Sequence, residues 1–341
     1  MAATGLVALL AGCGSSSRDV TSVAATLGGD AASTVTGMED ANVQVVQAVL
    51  PSVVQIDTDL GEGSGIVYDT DGNIVTNAHV VAGAKEFQVR PSSGGKPLKA
   101  TLVGQFQAGD LAVVKVDPAA KLPPARFGDS AQLKVGQLVL AMGSPLGLSG
   151  SVTNGIVSAI GRTVSSQREG AFPGATIASA VQTSAAINPG NSGGALVRMN
   201  GEIVGIPTLA AGTRAGSLAD GIGFAIPSDT VKNIAPQLIA DGKVTNSGRA
   251  ALGATIAQTF VSNGESNGVA VVSVVPGGAA AKAGMKDGDV VTAVNGEPTP
   301  TTTALAEALA PLKPGQTIKV DILRNGRKQT LEITLGELPG S

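Results

Sequence analysis

Short runs of β-branched and aliphatic residues, each ended by Gly, Pro, Asp or Asn, recur along most of this chain. They begin near Val43, and examples are SVVQIDT, GSGIV, GNIVT, LAVVKVD and QLVLAMG. Short runs of this kind at close spacing are typical of the strands of barrels and sandwiches. Aromatic residues make up only 2% of the chain, so we expect a core of Val, Ile, Leu and Ala. The pattern therefore predicts a mainly β fold.

Turn and helix signals divide these runs. Residues 68–73, YDTDGN, lie between two runs and predict a hairpin. The Asn-Gly pair at 200–201 predicts a second hairpin, closed by a type I′ turn. Residues 229–239 carry apolar side chains at helical spacing, which predicts a helix with Ser228 as its cap and an end at 241–242.

Changes in composition divide the chain into five segments. We predict, in chain order, a signal segment over 1–12, a flexible tether over 13–41, a β-rich unit over 42–242, a polar linker over 243–249 and a second unit over 250–338. The second unit alternates strands with two small helices, around 279–283 and 302–312. Its length of roughly ninety residues is enough for a separate small α/β domain.

The single cysteine lies near the start of the chain. The run LAGC ends at Cys13, after a short apolar stretch and before a polar one. This arrangement resembles the bacterial lipoprotein signal, in which the peptide is cut before the cysteine and the cysteine carries lipid. The resemblance implies export and attachment to the membrane through Cys13. The alternative is a flexible amino terminus with a cysteine of the buried type.

Charge and metal-ligand content exclude several classes of function. The net charge is −3 and there is no run of Lys or Arg, which argues against binding of nucleic acid. One Cys and one His cannot supply a structural zinc site, and one Cys cannot form an internal disulfide. We therefore expect no metal and no cofactor, and a metal hydrolase is nearly excluded.

The run GNSGG at residues 190–194 places one serine among glycines. A serine hydroxyl is a weak nucleophile that needs an adjacent base. The only histidine of the chain is His79, which follows an alternating strand in TNAHVV. Asp110, which opens the apolar run LAVVKV, is the candidate for orienting the imidazole. Together with Ser192 these residues give the order His, Asp, Ser, which is the chymotrypsin-type order.

The glycines around Ser192 suit acyl transfer. Backbone N–H groups must point at the oxyanion that forms on the scissile carbonyl. A turn through Gly190, Asn191 and Ser192 can present the N–H groups of Gly190 and Ser192 there. Gly193 and Gly194 allow close backbone packing behind the nucleophile. The stretch is thus interpreted as a nucleophile turn with its own oxyanion hole.

Several motifs resemble the HtrA (Deg) family of envelope serine proteases. They are TNAHVV, GDLAVVKV, AMGSPLGL, SVTNGIVSAIGR, QTSAAINPGNSGGALV and GIGFAIP, and the resemblance extends from about Val43 to Glu337. It implies two perpendicular six-stranded β-barrels with the triad between them, followed by a PDZ domain. Ile187 falls where the family lines a small apolar S1 pocket, which implies cleavage after Val or Ala. Ser184 and Ala195 stand where the family commonly has Asp and Pro.

The second unit resembles a bacterial PDZ domain in its circularly permuted arrangement. Leu252, Gly253 and Ala254 match the loop whose amides capture a peptide carboxylate. The peptide then adds as a strand to the edge of the sheet. Arg249, just upstream, is a candidate for supporting the carboxylate, and the helix over 302–312 would line the groove.

Two functions from different classes follow from the sequence. The first is a serine endopeptidase of envelope quality control that cleaves unfolded or misfolded proteins, with peptide C-termini bound at the PDZ groove. The alternative is a peptide-binding or chaperone module whose protease domain is latent, with loops around 161–178 and 208–221 governing the site. The family resemblance also implies a homotrimer or a multiple of one.

Overall fold

The computed structural model describes residues 29–144, 150–166, 170–188, 190–212, 218–260 and 266–338. The chain divides into a short amino-terminal unit, residues 1–44, and one compact unit, residues 45–341. The predicted signal segment, Cys13 and the part of the predicted tether up to residue 28 lie outside the described residues.

The first barrel closes on itself in the strand order β1-β2-β3-β6-β5-β4. Its elements are β1 (Val53–Thr58), β2 (Glu62–Val67), β3 (Asn73–Thr76), the short helix α2 (Ala78–Val81), β4 (Phe87–Pro91), β5 (Leu98–Phe106) and β6 (Leu111–Lys115). In β4, Phe87 and Val89 point inwards while Gln88 and Arg90 are exposed, as period-two patterning requires. The hairpin predicted over 68–73 joins β2 to β3.

The second barrel closes in the order β10-β11-β12-β9-β8-β7. Its strands are β7 (Leu138–Gly143), β8 (Ser151–Ser165), β9 (Thr176–Thr183), β10 (Ala195–Arg198), β11 (Ile203–Gly212) and β12 (Leu218–Pro227). The register between β8 and β9 shifts at three places, so this long hairpin is irregular.

The hairpin between β10 and β11 has a different turn from the one the sequence predicts. A type I′ turn needs positive φ at both central residues, and Asn200 is not among the described residues with positive φ. Instead the N–H of Gly201 (φ 78°) bonds to the carbonyl of Arg198, and the N–H of Arg198 bonds to the carbonyl of Glu202. This is the pattern of a type I turn followed by a glycine bulge. Asn295-Gly296 and Asn325-Gly326 do have positive φ at both positions.

Two longer helices accompany the barrels. Residues 29–41, predicted as part of a flexible tether, instead form the first part of α1 (Gly29–Val49). The helix predicted after the second barrel is α3 (Ser228–Asp241), which ends at Gly242 with φ of 67°. Ser228 is its first residue rather than its cap, which is Pro227 with φ of −59° and ψ of 142°. The Ser228 hydroxyl donates to the carbonyl of Gly128 and does not cap the helix.

A separate β-sheet follows α3 along the chain. It runs in the order β14-β15-β16-β18-β19, with β17 paired to β16, and β13 pairs with β20. The elements are β13 (Ala250–Ala251), β14 (Ala254–Phe260), β15 (Ser266–Val274), α4 (Ala279–Lys282), β16 (Val290–Val294), β17 (Glu297–Pro298), α5 (Thr302–Leu309), β18 (Thr317–Arg324), β19 (Arg327–Thr334) and β20 (Gly336–Glu337). β14 and β19 are the edges of this sheet. The helix predicted over 302–312 ends earlier, at Leu309.

The buried apolar residues form distinct clusters. One cluster joins the first barrel, part of the second barrel, α3 and two residues of α1, Val45 and Val49. Another fills the rest of the second barrel. A third belongs to the carboxy-terminal sheet with α4 and α5. The mainly β fold class, with two six-stranded barrels and a small α/β unit, is therefore confirmed. Among the described residues no helix has the length and apolar character needed to cross a membrane.

Candidate active site

His79 is presented by α2, a single helical turn that directly follows the buried strand β3. The residue before this helix, Asn77, is fully buried, and its side-chain Nδ2 donates to the carbonyl oxygen of Asp110 over 3.0 Å. This bond ties the start of α2 to the segment that carries Asp110. The first barrel thereby supplies both residues from positions beside two paired strands, His79 after β3 and Asp110 before β6.

Asp110 ends a tight turn and precedes β6. Its φ is 54°, in the left-handed region that Asp tolerates better than most residues, and its N–H bonds to the carbonyl of Gln107. The residue is 1% exposed. One carboxylate oxygen, Oδ1, accepts from the backbone N–H of His79 at 2.9 Å. The other, Oδ2, lies 2.8 Å from His79 Nδ1.

The contact with Asp110 assigns the tautomer of His79. A carboxylate only accepts hydrogen bonds, so the ring nitrogen that contacts it, Nδ1, carries the hydrogen. In the neutral ring Nε2 then holds the lone pair that accepts a proton. Phe172 packs against the same ring in an edge arrangement, with ring centroids 5.8 Å apart, and is itself buried. The His79 side chain is 24% exposed.

Ser192 lies in the turn just before β10 of the second barrel. The glycines after it meet the backbone of other segments closely. A Cβ at Gly193, whose φ is 81°, would lie 2.1 Å from the carbonyl oxygen of Ser64. A Cβ at Gly194 would lie 2.2 Å from the carbonyl oxygen of Met142. Both positions therefore require glycine, as the close packing predicted from the sequence implies.

The turn before Ser192 is defined by one hydrogen bond and one dihedral angle. The N–H of Asn191 donates to the carbonyl of Asn188 over 3.0 Å, and Gly190 has φ of 101°. A positive φ at the third residue of a turn is the sign of type II rather than type I, in which that residue has negative φ. The Asn191 side chain, 3% exposed, braces the turn by donating to the carbonyl of Ala186.

Thr208, on β11, connects the two halves of the site and was not singled out from the sequence. Its hydroxyl donates to Oδ2 of Asp110. Its carbonyl oxygen accepts from the Ser192 hydroxyl at 3.5 Å. The structure thus brings His79 and Asp110 into direct contact and links Ser192 to Asp110 through one intervening residue. No local sequence signal marks this threonine, because its partners lie far away along the chain.

Ser64, on β2, is a second residue that the sequence analysis passed over. It is fully buried, and its hydroxyl donates to the carbonyl oxygen of Gly190 at 2.5 Å. The glycines on both sides of it are a sequence signal. A Cβ at Gly63 would lie 2.7 Å from a methyl of Val80, and one at Gly65 would lie 2.6 Å from a methyl of Ile74.

The candidate specificity residue, Ile187, is 6% exposed and packs beside β12. A Cβ at Gly223 of that strand would lie 2.4 Å from Ile187 Cγ1, so the strand approaches the side chain closely. Ser184 has a structural partner of its own, since its hydroxyl accepts the N–H of Ile156. Ala195 is fully buried in the second barrel.

The predicted carboxylate loop precedes the edge strand β14. Gly253 has φ of 73°, which favours glycine there, and Leu252 is buried. The carbonyl of Leu252 accepts the N–H of Ala280 in α4. Ala254 pairs with Val274 at the start of the sheet. The loop is thus held on its inner side by α4 and β15.

Arg249 turns away from this loop. Its Nη1 donates to the carbonyl of Ala108 over 2.6 Å, in the turn just before Asp110. Burial lowers the pKa of the guanidinium to about 10, which leaves it charged at neutral pH. Its Nε is buried without a hydrogen-bond partner in the described part of the chain. The arginine therefore ties the end of the linker, just before the carboxy-terminal unit, to the first barrel.

The fold and the arrangement at its barrel junction are those of a trypsin-like peptidase followed by a PDZ domain. The family described as "Trypsin-like peptidase domain" matches residues 63–206. The family described as "PDZ domain" matches residues 252–335.

Curated relatives and solved structures agree with this class. Serine protease PepD of Mycobacterium tuberculosis is 42% identical over 314 residues, which cover 86% of this chain and 66% of PepD. A "Probable periplasmic serine endoprotease DegP-like" of Pseudomonas putida is 44% identical over 283 residues, covering 81% of this chain and 56% of the relative. This chain thus spans about two thirds or less of the length of these two relatives.

Among solved structures, the serine endoprotease from Yersinia pestis aligns with a TM-score of 0.55 and 35% identity, covering 86% of this chain and 97% of that one. The HtrA-type protease AlgW, solved with a tripeptide, aligns with a TM-score of 0.58 and 34% identity, covering 88% and 98%. The chain belongs to the HtrA family of trypsin-like serine proteases, as its motifs predict. The names of these relatives favour a protease over the latent peptide-binding module.

Proposed function

We propose that this protein is a serine endopeptidase that hydrolyses unfolded or misfolded proteins in the cell envelope through an acyl-enzyme. The observation that carries the proposal is the contact between His79 and Asp110. His79 Nδ1 lies 2.8 Å from Oδ2 of a carboxylate that is 1% exposed. A histidine held in this tautomer by a buried carboxylate is the base that a serine nucleophile requires.

In this proposal the proton moves between Ser192 and His79. Ser192 Oγ attacks the carbonyl carbon of the scissile bond while His79 Nε2 takes its proton. The protonated imidazole, stabilised by Asp110, then gives that proton to the leaving amine, and an ester with Ser192 remains. A water molecule, deprotonated by the same nitrogen, hydrolyses the ester and restores the serine hydroxyl.

The N–H groups of Gly190 and Ser192 are proposed to hold the oxyanion, with Asn191 bracing the turn between them. The positive φ of Gly190 is that of a type II turn, in which the amide before this residue is flipped relative to a type I turn. In our proposal this orientation points the Gly190 N–H at the oxyanion. A donor of this kind is worth about 10²–10³ in kcat.

Ile187 is proposed to line the S1 pocket, which suits a small apolar residue such as Val or Ala before the cleaved bond. Leu252, Gly253 and Ala254 are proposed to bind the C-terminal carboxylate of a peptide that adds to β14. Two features support the assignment of the carboxylate-binding loop. β14 is an edge strand, and the positive φ of Gly253 lies at the head of that strand.

The location and assembly of the protein are also proposals. The DegP-like relative is described as periplasmic, and we propose a location in the cell envelope for this chain. We further propose lipid attachment at Cys13 and assembly as a homotrimer or a multiple of one. Incorporation of labelled fatty acid, compared with Cys13→Ser, tests the anchor, and light scattering of the purified protein tests the assembly.

Cleavage of unfolded casein by the full chain tests the proposed activity. Ser192→Ala is expected to reduce kcat by about 10⁶-fold, as loss of a triad nucleophile does. Ser228→Ala is the control, because it removes a serine hydroxyl whose partner, the carbonyl of Gly128, lies outside the site. Equal cleavage by wild type and Ser192→Ala would refute the assignment of the nucleophile. Absence of cleavage by the wild type, with C-terminal peptides added, would favour the latent peptide-binding module.

A further inference from the structure

Ser64 is a buried junction between three segments of the chain. Its hydroxyl donates to the carbonyl of Gly190 over 2.5 Å and accepts the N–H of Ser144 over 2.8 Å. Its own N–H donates to the carbonyl of Ser192 over 2.9 Å. Its carbonyl accepts the hydroxyl of Thr76 over 2.7 Å. Every polar group of this residue therefore has a partner, and two of the partners lie in the nucleophile turn.

One of these bonds, together with a bond inside the turn, holds a single peptide unit by both its carbonyl and its N–H. The peptide between residues 190 and 191 has its carbonyl bonded to the Ser64 hydroxyl and its N–H bonded to the carbonyl of Asn188. A peptide unit is planar, so fixing both groups fixes its orientation. Gly190, whose φ is 101°, is the single residue between this plane and the preceding N–H, the proposed oxyanion donor.

We propose that Ser64 is the positioning residue that holds the oxyanion turn in its type II form from the opposite barrel. This inference rests on the proposed role of Ser192 and Gly190 in catalysis. Ser64 acts through the turn, since its hydroxyl bonds to a backbone carbonyl rather than facing the proposed substrate position.

The Ser64 hydroxyl also connects the nucleophile turn to the end of β7. Ser144 follows that strand directly, and its N–H, the Ser64 hydroxyl and the Gly190 carbonyl form a chain of two hydrogen bonds. A hydroxyl can donate and accept at once, which an alanine cannot do and a thiol does only weakly. The Ser64 side chain therefore adds a hydrogen-bonded link between Ser144 and the oxyanion turn to the direct packing of Gly143 against that turn.

Ser64→Ala leaves both proposed oxyanion donors, the N–H groups of Gly190 and Ser192, in the chain. It removes only the hydroxyl that bonds to the Gly190 carbonyl. We expect kcat for a peptide substrate to fall by about 10–100-fold, less than for loss of a donor itself. We expect KM to change by less than about threefold, because the support matters most when the oxyanion forms. Ser64→Cys, which has a similar shape and a weaker donor, is expected to give an intermediate kcat.

The matched control is Ser228→Ala. Ser228 is also fully buried, and its hydroxyl also donates to a glycine carbonyl, that of Gly128, over 3.0 Å. Loss of a buried serine hydroxyl as such should lower the melting temperature of both variants to a similar extent. Only Ser64→Ala should lower kcat.

A spectroscopic measurement reports on the turn without activity. The sequence contains Gly followed by Asn at two places, 72–73 and 190–191. Full-length protein labelled with ¹³C-carbonyl glycine and ¹⁵N-asparagine therefore gives two correlations between a carbonyl and the next amide. Ser64→Ala should shift the signal from 190–191 and leave that from 72–73 in place. Ser228→Ala should shift neither.

The outcomes distinguish the proposed role of Ser64 from the proposed assignment of Ser192 as nucleophile. An unshifted 190–191 signal in both Ser64 variants, or a kcat equal to that of the wild type, would overturn the role of Ser64. If Ser192→Ala cleaves as well as the wild type, the proposed catalytic assignment fails instead. The spectroscopic result then still decides whether Ser64 orients the turn.

Discussion

The hydroxyl of Thr208 donates a hydrogen bond to the carboxylate of Asp110. The two residues come from different barrels, Asp110 beside β6 of the first and Thr208 on β11 of the second. The carbonyl of the same threonine accepts the Ser192 hydroxyl at 3.5 Å. One side chain thus helps to orient the carboxylate that orients His79, and its backbone faces the proposed nucleophile.

Thr208→Val should lower kcat by about tenfold, which corresponds to about 1.4 kcal/mol in the activation barrier. The substitution preserves shape and removes one of the donors to the Asp110 carboxylate. Thr208→Ser keeps the hydroxyl and should retain most of the activity. Steady-state hydrolysis of a peptide substrate by the three proteins measures the effect. Equal kcat for Thr208→Val and Thr208→Ser would show that the hydrogen bond from Thr208 to Asp110 does not affect turnover.

Gly193→Ala should destabilise the protein by roughly 3–5 kcal/mol, from left-handed strain together with overpacking. A Cβ at Gly193 would meet the carbonyl of Ser64 at 2.1 Å and the hydroxyl of Thr76 at 2.4 Å. Urea unfolding followed by circular dichroism measures the loss.

Gly94 offers the matched control for that substitution. Its φ of 85° is close to the 81° of Gly193, but a Cβ there meets nothing within 4 Å. Gly94→Ala should therefore cost only the strain, about 1–2 kcal/mol. Similar losses of unfolding free energy in Gly193→Ala and Gly94→Ala would mean that the atoms around Gly193 move aside at little cost.

Phe172→Ala should expose the ring of His79. Phe172 is 3% exposed and covers that ring from the segment before β9. His79 is the only histidine of the chain, so carbethoxylation of histidine reports on this side chain alone. We expect modification to become several-fold faster in Phe172→Ala. Phe127→Ala is the control, because Phe127 packs against Tyr68 instead. An unchanged rate would show that Phe172 does not shield the ring.

Asp289 and Arg324 should make the stability of the carboxy-terminal unit dependent on pH. Asp289 is 1% exposed, and both of its oxygens accept from Arg324 at 2.7 Å. Burial alone would raise the pKa of the carboxyl, but the bonds from Arg324 and the Lys286 N–H lower it below its usual value. The folded state therefore binds the proton more weakly than the unfolded state. The stabilisation is complete above the unfolded pKa and is lost as pH falls through the folded pKa.

Asp289→Asn should accordingly destabilise this unit by about 3 kcal/mol at neutral pH. The difference from the wild type should shrink below about pH 4. Scanning calorimetry of the full chain at several pH values measures it. Asp321→Asn, whose carboxylate accepts a hydroxyl from Thr330, is the control in the same sheet. A difference from the wild type that stays constant down to pH 3 would contradict the assigned linkage.

The sequence identifies the residues whose chemistry is rare in it. A single histidine, a serine among glycines and an aspartate at the head of an apolar run leave few alternatives for a triad. Ser64 and Thr208 could not be found in this way, because hydroxyl residues are common and their roles depend on distant partners. The Ser64–Gly190 bond, for example, joins residues 126 positions apart.

Local structure was harder to predict where composition allows two conformations. Residues 29–41 are mostly small or polar, which is typical of a tether, yet they form part of α1. An Asn-Gly pair suits a type I′ turn and also a type I turn with a glycine bulge, and the pairing of the flanking strands decides between them. The six-stranded closure of the barrels itself came from the family resemblance rather than from the strand pattern.

The closed barrels have a consequence for a protein proposed to work among unfolded chains. Such chains expose N–H and C=O groups that can pair with the free edge of a sheet, so an open edge can seed their aggregation. In each barrel the first and last strands of the order pair with each other, so neither barrel has a strand that is an edge along its whole length. The open edges lie in the carboxy-terminal sheet, at β14 and β19. We therefore expect an unfolded client to add as a strand mainly to the unit whose proposed task is to accept one.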